Sequence, residues 1–115
     1  MMECKPMRGD IYFADLPSAA EHEQFGFRPV VILQNDVGNR FSPTTIVAPL
    51  TSKTKKRNQP THFLIHADSE NGLHRDSVAL LEQIRTIPQS MLVSKIGEID
   101  PSSIEPALKA SLGLN

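Results

Sequence analysis

Short apolar runs separated by turn residues set the pattern of this chain. Asp10 to Leu16 (DIYFADL) is apolar and aromatic, and Pro17 closes it. Pro29 to Leu33 (PVVIL) is continuous and β-branched, as in a strand buried on both faces. Asp36 to Asn39 (DVGN) reads as a turn. Thr44 to Leu50 (TTIVAPL) is another β-rich run, and Pro49 assigns its end to an edge or a bulge. Thr61 to Ile65 (THFLI) is a further strand candidate. Ser77 to Ile87 (SVALLEQIRTI) is the longest run. Both of its alternating faces begin apolar and turn polar near Glu82 and Gln83, which predicts a sharply bent strand or two strands.

The end of the chain has a different period. Ile104, Ala107, Leu108, Ser111 and Leu112 recur at helical spacing, and Gly113 suits a C-terminal stop. Two starts compete. Asp100-Pro101 resembles an N-cap followed by proline, and Ser102 with Glu105 resembles a capping box. Pro106 favours the later start, because proline is tolerated only near the first turn. A short helical turn is also expected after Pro88. Several short strands followed by a terminal helix predict a small, barrel-like, mainly β fold with helical additions. A length of 115 residues predicts one domain over 1–115.

Composition narrows the function classes. Hydrophobic residues make up 39% and charged residues 22%, ordinary values for a globular protein. No stretch approaches the roughly 18 consecutive apolar residues of a membrane helix. No apolar segment follows Lys5 and Arg8, which argues against a secretory signal. The one cysteine, Cys4, cannot form an internal disulfide, so a reducing cytoplasm is the expected setting. An incidental thiol is a better reading of Cys4 than a nucleophile. A net charge of −1 excludes coating of nucleic acid by bulk attraction, so any such binding needs a local patch. Aromatics at 5% exclude a broad base-stacking platform.

Metal chemistry finds little support in the pattern. His62 and His66 are the only close pair among the four histidines, and four residues along a strand span about 13 Å. No Cys/His cluster has zinc spacing, and the carboxylates are scattered. The expectation is therefore no metal and no cofactor. Quieter signals remain. Arg28 stands at the mouth of the PVVIL strand, and Thr51 and Ser52 place hydroxyls at a strand-to-loop junction. Lys53, Lys55, Lys56 and Arg57 follow at once. In an arbitrary protein this run is a solvated loop; beside Thr51 it can also bind phosphate.

These residues resemble a known family. Met7 to Tyr12 (MRGDIY) is similar to the opening strand of MazF/PemK toxins, and Glu23 to Pro29 (EQFGFRP) matches their E-Q-x-G-x-R-P pattern. Gln34 to Asp36, Asn39 to Thr44 (NRFSPT), Pro49 to Ser52, Asp76 to Val78 and Leu81 to Ile87 (LEQIRTI) also fit, in order, over most of the chain. His22, Phe25 and Phe27 depart from the glycine-rich loop of some members.

The resemblance implies an SH3-like β-barrel with short helices and a C-terminal helix, assembled as a homodimer. It implies a toxin of a type II toxin–antitoxin system, an endoribonuclease that cuts single-stranded messenger RNA in the cytoplasm and inhibits growth. It implies a cognate antitoxin, expected to bind through an acidic disordered segment. The family's catalytic arginine falls on Arg28 and its catalytic threonine on Thr51. RNA contacts are expected from Asn35, Ser52, Lys53, Lys55, Lys56, Ser77 and Gln83, with the loop from Lys53 to Pro60 flanking the RNA groove. For Asn35 and Gln83, backbone hydrogen bonding in a turn competes equally with base readout. RNA carries its own nucleophile, the 2′-hydroxyl, so the protein need only align it and stabilise charge. The alternative is a non-catalytic, CcdB-like toxin that poisons DNA gyrase. A third reading is a plain SH3-like interaction module.

Overall fold

The computed structural model describes residues 5–17, 26–54 and 59–115. Seven strands and two α-helices carry the chain: β1 (Asp10–Leu16), β2 (Gly26–Ile32), α1 (Asp36–Phe41), β3 (Thr44–Thr51), β4 (His62–Ile65), β5 (Ser77–Leu80), β6 (Arg85–Pro88), β7 (Leu92–Glu98) and α2 (Glu105–Leu112). All pairings are antiparallel and build one seven-stranded sheet. Its order is β4-β5-β3-β2-β1-β7, with β6 also on β3. Among the described residues β4 and β7 do not pair, so the barrel-like sheet stays open. Two register irregularities between β1 and β7 bend that edge.

Strand β2 explains the continuous PVVIL run. Val31 and Leu33 pack in a core with Ile11, Ala48, Leu50 and Leu81, which Ile104 and Ala107 cover from the C-terminal end. Val30 and Ile32 pack in a second core with Ala14, Leu16, Val47 and Ile87 on the other face. Burial on both faces removes the alternation a half-exposed strand would show.

The long run from Ser77 to Ile87 is two strands, as its pattern predicts. Leu50 faces Ala79 and Val47 faces Arg85, so three steps on β3 correspond to six on its partner. A 3₁₀ turn at Leu81–Gln83 takes up the difference. Pro49 pairs with Val30 on one side and, on the other, lies at the gap between β6 and β5. A residue without an N–H is tolerated there.

The segment read as a DVGN turn is instead the start of α1. Asn35 caps it, accepting from the Gly38 N–H at 2.7 Å. Asn39, fully buried, donates to the Gln34 carbonyl and accepts from Gln34 and from Thr45 Oγ1. Gln89 Nε2 donates to the carbonyls of Asn39, Ser42 and Thr44, which closes the helix onto β3. Contacts distant in sequence therefore override local turn propensity. Gln89 itself lies in the short 3₁₀ turn expected after Pro88, Gln89–Met91.

Of the two competing starts, the Asp100 cap forms and the Ser102–Glu105 capping box does not, because the Ser102 hydroxyl donates to Asp100 Oδ1 and the α-helix is preceded by Ile104 without a side-chain cap. Asp100 caps a 3₁₀ turn at Pro101–Ile104, accepting from the Ser102 N–H at 3.0 Å. The α-helix then begins at Glu105 with Pro106 in its first turn. Gly113 ends it in the left-handed region at φ 69°, a conformation glycine adopts without steric cost.

Candidate functional site

Antiparallel pairing places the two residues with the clearest chemical promise. The β2–β3 ladder runs from Ile32↔Val47 to Val30↔Pro49. Arg28 and Thr51 lie just beyond the last of these pairs, each two residues further along its own strand. On the other side Arg28 faces Ala14, a small buried residue. Arg28 and Thr51 line one cavity of about 300 Å³ together with Leu50, Ser52 and Lys53. Leu50 belongs to the core below, so the cavity has an apolar floor and a polar rim.

Arg28 is half-buried, and burial pushes its guanidinium pKa below the ordinary arginine value. The cause is lost hydration of the cation. An anion that entered the cavity would replace part of that hydration, and its attraction is stronger where water is excluded. The planar fork of arginine suits two phosphate oxygens at once. Thr51 is pre-aimed by a neighbour. The Lys53 backbone N–H donates to Thr51 Oγ1 at 3.2 Å, occupying an acceptor position and leaving the hydroxyl proton to donate elsewhere. Ser52 and Lys53 are exposed at the rim.

The cavity therefore gathers Arg28, Thr51, Ser52 and Lys53. It does not gather the other site residues read from the sequence. Asn35 is the α1 cap, its side-chain oxygen engaged and its amide nitrogen at the surface. Ser77 is buried at the start of β5, and its hydroxyl donates to the Arg75 carbonyl at 3.0 Å. Gln83 ends the 3₁₀ turn between β5 and β6, half-buried. Lys55 and Lys56 lie outside the described residues, as do Arg57, His22 and Phe25.

Other features were less legible in sequence. Phe27 stacks on Phe13 at 4.9 Å between ring centres, with 22° between their planes. They are diagonal neighbours, since Asp15 faces Phe27 and Phe13 faces Pro29. Phe27 stays 57% exposed beside Arg28. Arg85 Nη2 donates to the Pro17 carbonyl at 3.2 Å, which ties β6 to the end of β1. Two of the four histidines take carboxylate partners. His62 Nε2 lies 2.9 Å from Glu82 Oε2, and His66 Nδ1 lies 3.1 Å from Asp76 Oδ2. Among the described residues no three His, Cys, Asp or Glu side chains cluster as a metal site would require. Among the same residues no helix is long and apolar enough to cross a membrane.

Comparison with known proteins gives a consistent result. The pattern of PemK-like, MazF-like toxins of type II toxin–antitoxin systems matches residues 7–111. Endoribonuclease EndoA of Bacillus subtilis (strain 168) is 51% identical over 110 residues, covering 93% of this chain and 94% of that protein. A mycobacterial endoribonuclease solved in complex with its cognate antitoxin superposes with a TM-score of 0.75 at 28% identity, covering 96% of this chain and 97% of that one. MazF (Form-I) from Deinococcus radiodurans superposes with a TM-score of 0.80 at 22% identity, covering 97% and 100%, a likeness of fold.

Proposed function

Because the chain belongs to the PemK-like, MazF-like toxins of type II toxin–antitoxin systems, we propose that Arg28 and Thr51 are the catalytic pair of a metal-independent endoribonuclease. The family assignment makes the protein a toxin-type endoribonuclease and sets aside the gyrase poison, the non-catalytic alternative. The observation that carries the pairing is the shared cavity at adjacent strand ends.

The chemistry uses the nucleophile that RNA brings. The 2′-oxygen attacks the adjacent phosphorus and loses its proton as the new P–O bond forms. The P–O5′ bond breaks and the 5′-oxygen takes up a proton. The products are a 2′,3′-cyclic phosphate and a free 5′-hydroxyl. Arg28 binds the non-bridging oxygens, whose charge grows towards the transition state. Thr51 adds a neutral donor aimed by Lys53. Arg28 acts as a cation rather than a base, since a guanidinium holds its proton far more tightly than a general base could. No step requires a Lewis acid, because the cation already meets the developing charge.

RNA binds single-stranded, with unpaired base edges available to the amides of Asn35 and Gln83. Ser77, buried with its hydroxyl on the Arg75 carbonyl, supports the start of β5 rather than contacting RNA. Ser52, Lys53, Lys55 and Lys56 supply the phosphate patch that a net charge of −1 does not. The protein works in the cytoplasm as a two-fold dimer, the commonest closed assembly. An antitoxin segment, acidic and disordered before binding, covers the cavity rim and the exposed ring of Phe27.

The test is incubation of purified protein with a long unstructured RNA in excess chelator. Discrete fragments with cyclic-phosphate ends support the reading. Intact RNA in chelator, with cleavage restored by a divalent ion, overturns its metal independence. A monomer by light scattering at micromolar concentration overturns the dimer.

A further inference from the structure

Glu82 is an acidic residue in a turn that the proposed function places against a polyanion. Its carboxylate is engaged on both oxygens. Thr61 Oγ1 donates to Oε1 at 3.1 Å, and His62 Nε2 lies 2.9 Å from Oε2. A carboxylate only accepts, so His62 carries its proton on Nε2. The His62 side chain is 3% exposed, which makes it a fixed anchor. Backbone contacts join the same elements: the Leu81 N–H donates to the Thr61 carbonyl at 2.9 Å. From α2, the Ser111 hydroxyl donates to the Leu81 carbonyl.

The turn needs these tethers. Leu81–Gln83 falls where β3 exchanges one partner strand for the other, so no described ladder position holds it. Its place is set by side chains and by neighbouring elements. Gln83 is the next residue along, and readout of a base edge demands positioning within about 0.5 Å.

We propose that Glu82 is a positioning residue for RNA recognition, fastening the turn that presents Gln83 to Thr61 and His62 at the start of β4. The inference rests on the proposed role of Gln83 at the RNA. Positioning and direct electrostatics predict opposite signs. Removing a negative charge near RNA strengthens binding by simple attraction. Releasing the turn weakens it.

The experiment measures steady-state cleavage by wild type, Glu82→Ala, Glu82→Gln and Thr61→Val, with binding to an RNA carrying a 2′-deoxy sugar at the cut position. Glu82→Ala should raise KM and the Kd of the uncut RNA about tenfold and leave kcat nearly unchanged. Glu82→Gln should bind at least as tightly as wild type, because its amide oxygen accepts from His62, its N–H donates to the Thr61 hydroxyl, and the negative charge is gone. Thr61→Val, which keeps the shape and removes one donor, should shift KM the same way by less. Equal or tighter binding by Glu82→Ala overturns the proposal, and so does Glu82→Gln behaving like Glu82→Ala. A lowered melting temperature with KM unmoved also overturns it. If the wild type cuts no RNA, the proposed function fails, and the affinities still decide the role of Glu82.

Discussion

Arg28 on β2 and Thr51 on β3 line one cavity at the ends of adjacent antiparallel strands, beyond the last ladder pair of Val30 with Pro49 and over a floor that includes Leu50. The β2–β3 ladder positions the strands that carry both residues, and donors placed before substrate arrives are what the proposed electrostatic catalysis requires.

Arg28→Ala should lower the cleavage rate roughly a hundred- to a thousandfold, the usual loss for one preorganised donor. The melting temperature should stay near wild type, because the side chain sits at the strand mouth outside both cores. Arg28→Lys should recover little, since an ammonium lacks the bidentate fork. Cleavage by Arg28→Ala at the wild-type rate would remove Arg28 from the mechanism.

Thr51→Val keeps the shape and deletes the hydroxyl. Cleavage should slow by a smaller factor than in Arg28→Ala, with RNA affinity retained through Lys53 and its basic neighbours. Wild-type protein should bind, but not cut, RNA with a 2′-deoxy sugar at the scissile position. Cleavage of that substrate would show that the nucleophile is not the 2′-oxygen.

Asn35 separates two roles by substitution. Asn35→Ala removes the α1 cap and should cost about 1 kcal/mol of stability, read from chemical denaturation. Asn35→Asp keeps the capping oxygen, so stability should hold. It also replaces the outward amide with a negative charge, so RNA affinity should fall. Unchanged affinity in Asn35→Asp would reduce Asn35 to a helix cap.

Asp76 gives a pH signature. The Ala67 N–H, at 2.8 Å, and then His66 hold its carboxyl below the ordinary range. A depressed carboxyl pKa contributes stability that is present above the ordinary value and is lost as pH falls through the depressed one. Asp76→Ala should therefore melt lower than wild type at pH 7, and the two curves should converge on acidification. A constant gap from pH 7 into the acid range would refute the linkage.

Much of this protein was legible in its residues because local rules act over a few positions. β1 occupies the run read for it, the two-faced burial of β2 follows from PVVIL, and the Asp100 cap and the placing of Pro106 in the first turn of the terminal helix follow from cap and proline chemistry. Arg28 and Thr51 stood out through their motifs and strand-end positions. Other features depended on residues far apart in sequence. The DVGN segment became a helix because Thr45 and Gln89 reach Asn39 and its carbonyl, which no local propensity encodes. The link from Glu82 to His62 spans 20 residues. The sequence alone marked the segments that became β1 to β6 and the side chains proposed to carry the chemistry, but not β7 (Leu92–Glu98), whose place is set by its pairing with β1. Only the tertiary structure decided which strands meet and in what register. Register depends on contacts distant along the chain, and a slip of one residue would turn Thr51 to the opposite face from Arg28.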